Sequence, residues 1–242
     1  VRIVEAKDAS DEEKRIDEYA PNVPLPAVAL TWLIPSAAHP DAIPLFLAAT
    51  ILAEGESSRL QERLVRGEIS QEVFADADLR EDLGLFSVVS IMSSEHQPAE
   101  AEKLVRAELV SLVEKGVPAA ELEKAKNLIV TSALRQRETS NGKAFTLGEV
   151  LILQHDPAIV NSGLGKVQAA TAADIQRVVK QYLIDGKALA ITYQDEAKRP
   201  PESAVGSRRS AVADRPYQSA ETGSPLPTAD RRPPTDSRGG AQ

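Results

Sequence analysis

The sequence predicts an α+β fold, a mostly antiparallel sheet with helices packed on one face. Three observations carry this. The stretch "AVALTWLIP" (27–35) is apolar with β-branched residues and ends on proline, as a strand does. The pair "VFADADL" and "LFSVVSIM", joined by "REDLG", alternates in the manner of an antiparallel hairpin, with Val73, Ala75, Ala77 and Leu79 set against Phe74, Asp76 and Asp78. Between and after these runs the period changes to that of helices, so strands and helices share one layered unit.

The elements follow in order. "DAIPLFLAATILAE" (41–54) is apolar nearly all round, as in a buried helix, and continues into the amphipathic "SSRLQERLVRG". Beyond the hairpin, Leu104, Val105, Leu109, Leu112 and Val113 form one helical stripe, ended by Gly116. Leu122, Ala125, Ile129 and Ala133 form a second, starting just after Pro118. Both stripes are expected to face the core. A further helix is expected over 143–154, and "TAADIQRVVKQYL" opens on a Thr171–Asp174 capping box ahead of Ile175, Val178, Val179 and Tyr182. "ALAITYQ" closes the unit as a strand.

Composition sets the outer limits. Residues 5–18 are charged and poor in apolar side chains, which reads as a connector arriving from upstream, and 1–24 is assigned to that connector and a first strand region. Residues 25–196 are the folded domain. Residues 197–242 hold seven prolines, four glycines and few large apolar residues, so they are expected to be a disordered linker or tail. That tail carries eight basic and five acidic side chains, a net +3, against −8 for the whole chain, which leaves −11 on residues 1–196. An acidic domain with 4% aromatic residues is a poor partner for nucleic acid, which demands a concentrated basic surface.

The 242 residues include no cysteine, which excludes disulfides and thiolate chemistry and leaves the compartment open, with the periplasm favoured over the cytoplasm. No run approaches the roughly 18 apolar residues of a membrane-spanning helix. A chain beginning at Val1 is expected to be a processed product or part of something longer.

The residues that could carry chemistry are few. His39, His96 and His155 are far apart in sequence, without the helical spacing of paired zinc ligands, and read as solvated loop histidines. "MSSEH" (92–96) ends like the zinc motif H-x-x-E-H, but Met92 stands where its first histidine belongs. No glycine-rich phosphate loop or nucleophile elbow is present, and Ser57–Ser58 has no histidine nearby in sequence. Glu114, Glu121 and Glu123 read as solvated helix surface.

The succession "PAVALTWLIPS", "DAIPLFLAATILAEGESSRLQERLVRGEISQEVFADAD", "GVPAAELEKAKNLIVTSAL" and "VQAATAADIQRVVKQYL" resembles the C-terminal, non-zinc half of insulinase/pitrilysin-type zinc metallopeptidases. Mitochondrial processing peptidase and the core subunits of the respiratory bc1 complex belong to the same group. The similarity covers about residues 20–195. It implies a partner half bearing H-x-x-E-H, upstream in the same polypeptide or on a separate subunit, that binds the zinc. This chain itself then holds no cofactor, contributes no catalytic residue, spans no membrane and closes a chamber around an unfolded peptide. Such halves can offer the substrate an arginine and a tyrosine seven positions apart. The matching arginine is Arg66, the expected substrate-binding residue, and seven positions on stands Val73 in place of tyrosine. Arg59, within the helix, is expected to be structural. The rival readings are an inert structural or assembly subunit of the same family and an unrelated α+β binding module.

Overall fold

A computed structural model describes residues 12–200. Its first strand, β1 (Lys14–Ala20), falls at the end of the charged stretch expected to be a connector. The charges do not prevent pairing because they find partners. Arg15 donates to both carboxylate oxygens of Glu102, at 2.8 and 2.7 Å, and Thr192 donates to Asp17 at 2.5 Å.

Then come β2 (Ala27–Pro35), α1 (Ala42–Ala53), and a single π-helical turn at Gln61–Val65. They lead into the hairpin β3 (Ser70–Asp78) and β4 (Leu83–Met92), which is antiparallel as its alternation requires. Helices α2 (Pro98–Lys115), α3 (Ala119–Gln136), α4 (Ser140–Gln154), α5 (Ile159–Ala169) and α6 (Ala172–Val178) follow. A second π-helical turn, Val179–Ile184, extends α6 before β5 (Leu189–Asp195). The strands lie in the order β1-β5-β2-β4-β3; β1 runs parallel to β5 and every other pairing is antiparallel.

One face of this sheet is core. Val28, Leu30, Trp32 and Ile34 of β2 alternate inward and meet Phe86, Val88 and Met92 of β4, with Trp32 and Phe86 edge to face at 6.2 Å. Helix α1 has no polar face at all and is buried along most of its length against that layer, as its composition predicts. The α2 stripe (Val105, Leu109, Leu112) packs beside it. Of the α3 stripe, Leu122 and Ala125 are buried and Ile129 packs against the core, while Leu128 and Leu134, off that stripe, are exposed.

The capping box at the head of α6 forms as expected, Thr171 Oγ1 accepting from the Asp174 backbone N–H at 3.2 Å while the Asp174 carboxylate accepts from Thr171 N–H at 2.9 Å. Helix α5 is not legible in the sequence because Gly163 and Gly165 break its propensity. The proposed connector up to residue 11, and the tail from residue 201, lie outside the described residues.

Candidate substrate-facing surface

Among the described residues, the second face of the sheet has no helix on it. Across the strands, in register, run Ile191, Ala29, Val89 and Phe74; the next row is Tyr193, Ala27, Ile91 and Glu72. Leu33 and Leu85 form a third pair, and Thr31 and Ser87 hydrogen-bond to each other at 3.2 Å. Leu33 and Phe74 are each 53% exposed, with Leu83 and Tyr193 close behind. An uncovered apolar surface of this kind marks an interaction site more often than chance exposure. Its β3 margin is acidic, through Glu72, Asp76 and Asp78.

The three arginines of the π-turn region have different fates. Arg59 is clamped: its Nε and Nη2 donate to the two oxygens of Glu121 at 2.7 and 2.8 Å, and Nη2 also reaches the Gly116 carbonyl at 3.0 Å. This ties the turn after α1 to the α2–α3 junction, a structural role, and Glu121 is that partner instead of solvated surface. The Glu121 hydrogen bond raises the Arg59 pKa. Arg63 donates to the buried Glu108 of α2 at 2.8 Å.

Arg66 caps the π-helical turn, its side chain 61% exposed and 3.6 Å from Glu62. That is a loose ion pair one turn back, and it leaves the guanidinium available to a ligand. Val73 points the other way, 1% exposed in the core between β3 and α1. Counting seven positions from Arg66 therefore lands on the inward face of β3, where a tyrosine could not share a ligand with it.

The histidines stay apart, each beside one carboxylate: His39 is 3.8 Å from Asp41, His96 2.9 Å from Glu100, and His155 3.0 Å from Glu81. Among the described residues no three His, Asp or Glu converge as metal ligands would. Ser57 accepts a hydrogen bond from Lys124 at 2.6 Å, a contact between exposed side chains.

One cluster escaped sequence reasoning. Asp41 stands at the head of α1 yet does not cap it; its carboxylate, 8% exposed, turns to α6 and accepts from Arg177 Nη1 and Nη2 at 3.1 and 2.5 Å and from the Tyr182 hydroxyl at 2.9 Å. The Arg177 hydrogen bonds hold the Asp41 carboxyl below the usual aspartate range. Burial, reinforced by the Asp41 hydrogen bond, pushes the Tyr182 phenol up. The lone Asp before an apolar helix was visible, but partners more than a hundred residues away were not.

Residues 2–129, more than half of the chain, match the family model described as the peptidase M16 inactive domain. The chain belongs to the peptidase M16 inactive-domain family. Among solved structures it resembles a protease from Helicobacter pylori, with a TM-score of 0.73 and 22% identity over 76% of this chain and 45% of that one. A protein of Bordetella pertussis Tohama I assigned as a zinc protease gives 0.64 and 28% identity over 70% of this chain and 93% of that one. The inactive peptidase domain of a similarly assigned protein from Bordetella parapertussis gives 0.63 and 26% over 74% and 95%. The M16 inactive domain described here thus spans under half of the Helicobacter chain and nearly all of the Bordetella ones. No curated protein sequence matches the chain. The resemblance to the non-zinc half of an insulinase-type peptidase is borne out, as is the α+β fold that came with it. No helix among the described residues is long and apolar enough to cross a membrane.

Proposed function

We propose that this M16 inactive domain is the non-zinc half of a zinc metallopeptidase, forming one wall of a chamber that encloses unfolded peptide while a partner half bearing H-x-x-E-H hydrolyses it. The uncovered sheet face carries the reading. A wall must offer a broad, rigid, largely apolar surface to whatever it encloses, and the rows through Phe74, Val89 and Ile91 do so on a sheet whose other face is locked to helices. Arg66 is the substrate-binding residue in this reading, giving a charge-assisted hydrogen bond to a peptide carbonyl. The zinc belongs to the partner, where a metal-bound water of lowered pKa supplies the nucleophile.

The test is metal analysis together with hydrolysis of a quenched fluorescent peptide, by the chain alone and after mixing with the H-x-x-E-H half. The chain alone should neither hold stoichiometric zinc nor cleave; mixing should raise turnover well above that of the zinc half by itself. Chelator-sensitive cleavage by the chain alone would overturn the assignment. No gain on mixing would favour the inert assembly subunit.

A further inference from the structure

Strand β1 stands at the margin of the sheet, with β5 on one side and no strand among the described residues on the other. Its pairing to β5 is parallel, and Lys14 opens it by donating its N–H to the Ala188 carbonyl at 3.2 Å. Backbone groups alternate in direction along a strand, so Lys14, Ile16 and Glu18 turn theirs to β5, while Arg15, Asp17 and Tyr19 turn theirs outward. Among the described residues no hydrogen bond reaches those outward N–H and C=O groups. Arg15 and Asp17 are exposed, so the row is open to a further strand.

The order of charges along that edge is self-complementary. "KRIDE" (14–18) reads basic, basic, apolar, acidic, acidic. Laid antiparallel against a second copy about Ile16, it sets Lys14 opposite Glu18, Arg15 opposite Asp17, and Ile16 opposite Ile16. The backbone agrees with the side chains: Arg15 and Asp17, whose N–H and C=O point outward, form the hydrogen-bonded pairs, and the two Ile16 form the close, non-bonded pair on the axis. Sliding the register by one bonding step loses this. One slip sets Arg15 against Arg15 and the other Asp17 against Asp17, and like charges directly opposite are destabilising. Charges on an edge strand guard against indiscriminate pairing, and this order still admits the strand's own copy. The side chains remain available, since Arg15 spends only Nη2 on Glu102, Asp17 only Oδ1 on Thr192, and neither Lys14 nor Glu18 is held by another side chain among the described residues.

We propose that β1 is a dimerisation edge whose occupant is β1 of a second copy of this chain, joined antiparallel across a two-fold axis at Ile16 into a sheet continuous through both copies. Lys14, Ile16 and Glu18 lie in line with Leu189, Ile191 and Tyr193, on the uncovered face. The axis of such a pair stands perpendicular to the sheet, so both uncovered faces end on the same side. The apolar row through Phe74, Val89, Ala29 and Ile191 then runs on through the two Ile16 side chains into the other copy. Pairing at this margin covers neither sheet face, so the inference stands independently of the function proposed above.

Charge exchange tests this, read by sedimentation of the full chain over a concentration series. The parent should pass from monomer to dimer as it is concentrated, with amide exchange at Arg15 and Asp17 slowing in step. Lys14→Glu sets acid against acid at both symmetric contacts of the dimer, and Glu18→Lys sets base against base, so each single variant should dimerise about tenfold or more weakly while folding like the parent. Combining the two substitutions in one chain reverses each pair without losing it and should restore the dimer; mixing the two single variants should restore it between unlike chains. A parent that stays monomeric at its highest soluble concentration would overturn the proposal, as would single variants that dimerise like the parent or a combined variant no tighter than the singles. Slow exchange at Arg15 and Asp17 already in the dilute monomer would assign the edge to a segment of the same chain, and would overturn it equally.

Discussion

The substitution Val73→Tyr separates the sequence count from the structure. If Arg66 and the residue seven positions on were a ligand-facing pair lacking only its phenol, installing tyrosine would complete it and raise turnover. Val73 instead sits 1% exposed on the inward face of β3, paired across to Ser90 and packed under α1. A tyrosine there overfills a close-packed layer, at a cost of about 1–3 kcal/mol. It also buries a hydroxyl that gains no partner, at about 1–3 kcal/mol more. Together these come to about 2–6 kcal/mol, and at roughly 2–4 °C per kcal/mol for a domain of this size the melting temperature should fall by roughly 4–24 °C. The assay is a thermal melt of the isolated chain beside peptide turnover with the zinc half. A melting temperature equal to the parent's, or a gain in turnover, would refute the inward placement of position 73.

Arg66→Ala should leave the melting temperature of the isolated chain within a degree or two, since its exposed pair with Glu62 is worth at most about 0.5 kcal/mol; with the zinc half present, turnover should drop tenfold or more, and parent-like turnover would remove Arg66 from the substrate site. Asp41→Ala should destabilise by about 2–3 kcal/mol in urea melts, because it strips the charged hydrogen bonds of Arg177 and the phenol of Tyr182 together, and a loss under about 0.5 kcal/mol would show the latch to be ornamental. That latch also predicts an acid limit: a carboxyl whose folded pKa lies below its unfolded value stabilises fully above the unfolded value, near 3.9, and loses the contribution as pH falls through the folded one. The gap between parent and Asp41→Ala should therefore be constant from about pH 5 to about pH 9, below the titration of the Tyr182 phenol, and close below about pH 4.

Local pattern recovered most of the fold for identifiable reasons. The hairpin, the Thr171–Asp174 box and the buried α1 are all written in residues close together in the chain, where period and capping act. β1 was obscured because its charges read as a connector until Glu102 and Thr192, far along the chain, pair with Arg15 and Asp17. Burial alone would push the Glu102 carboxyl up, but hydrogen bonds from Arg15 and Arg106 outweigh it and leave it below its ordinary value. The inward aim of Val73 was legible in the alternation of β3, whereas the Asp41–Arg177–Tyr182 latch was not, since no local rule pairs a helix start with residues in another helix.

The sheet itself argues for a missing neighbour. A strand with one face in the core and one in water should alternate apolar and polar residues; a strand covered on both faces should not. In β2 the outward positions are Ala27, Ala29, Thr31, Leu33 and Pro35, and in β4 they are Leu83, Leu85, Ser87, Val89 and Ile91, so both strands are written for two-sided burial. Every helix that packs on them lies on the same side. The mismatch between that composition and the single layer of helices recurs at α4, which is apolar and unburied on the far flank of the domain. Two independent elements, one a sheet and one a helix, are thus composed for a layer that the described residues do not supply.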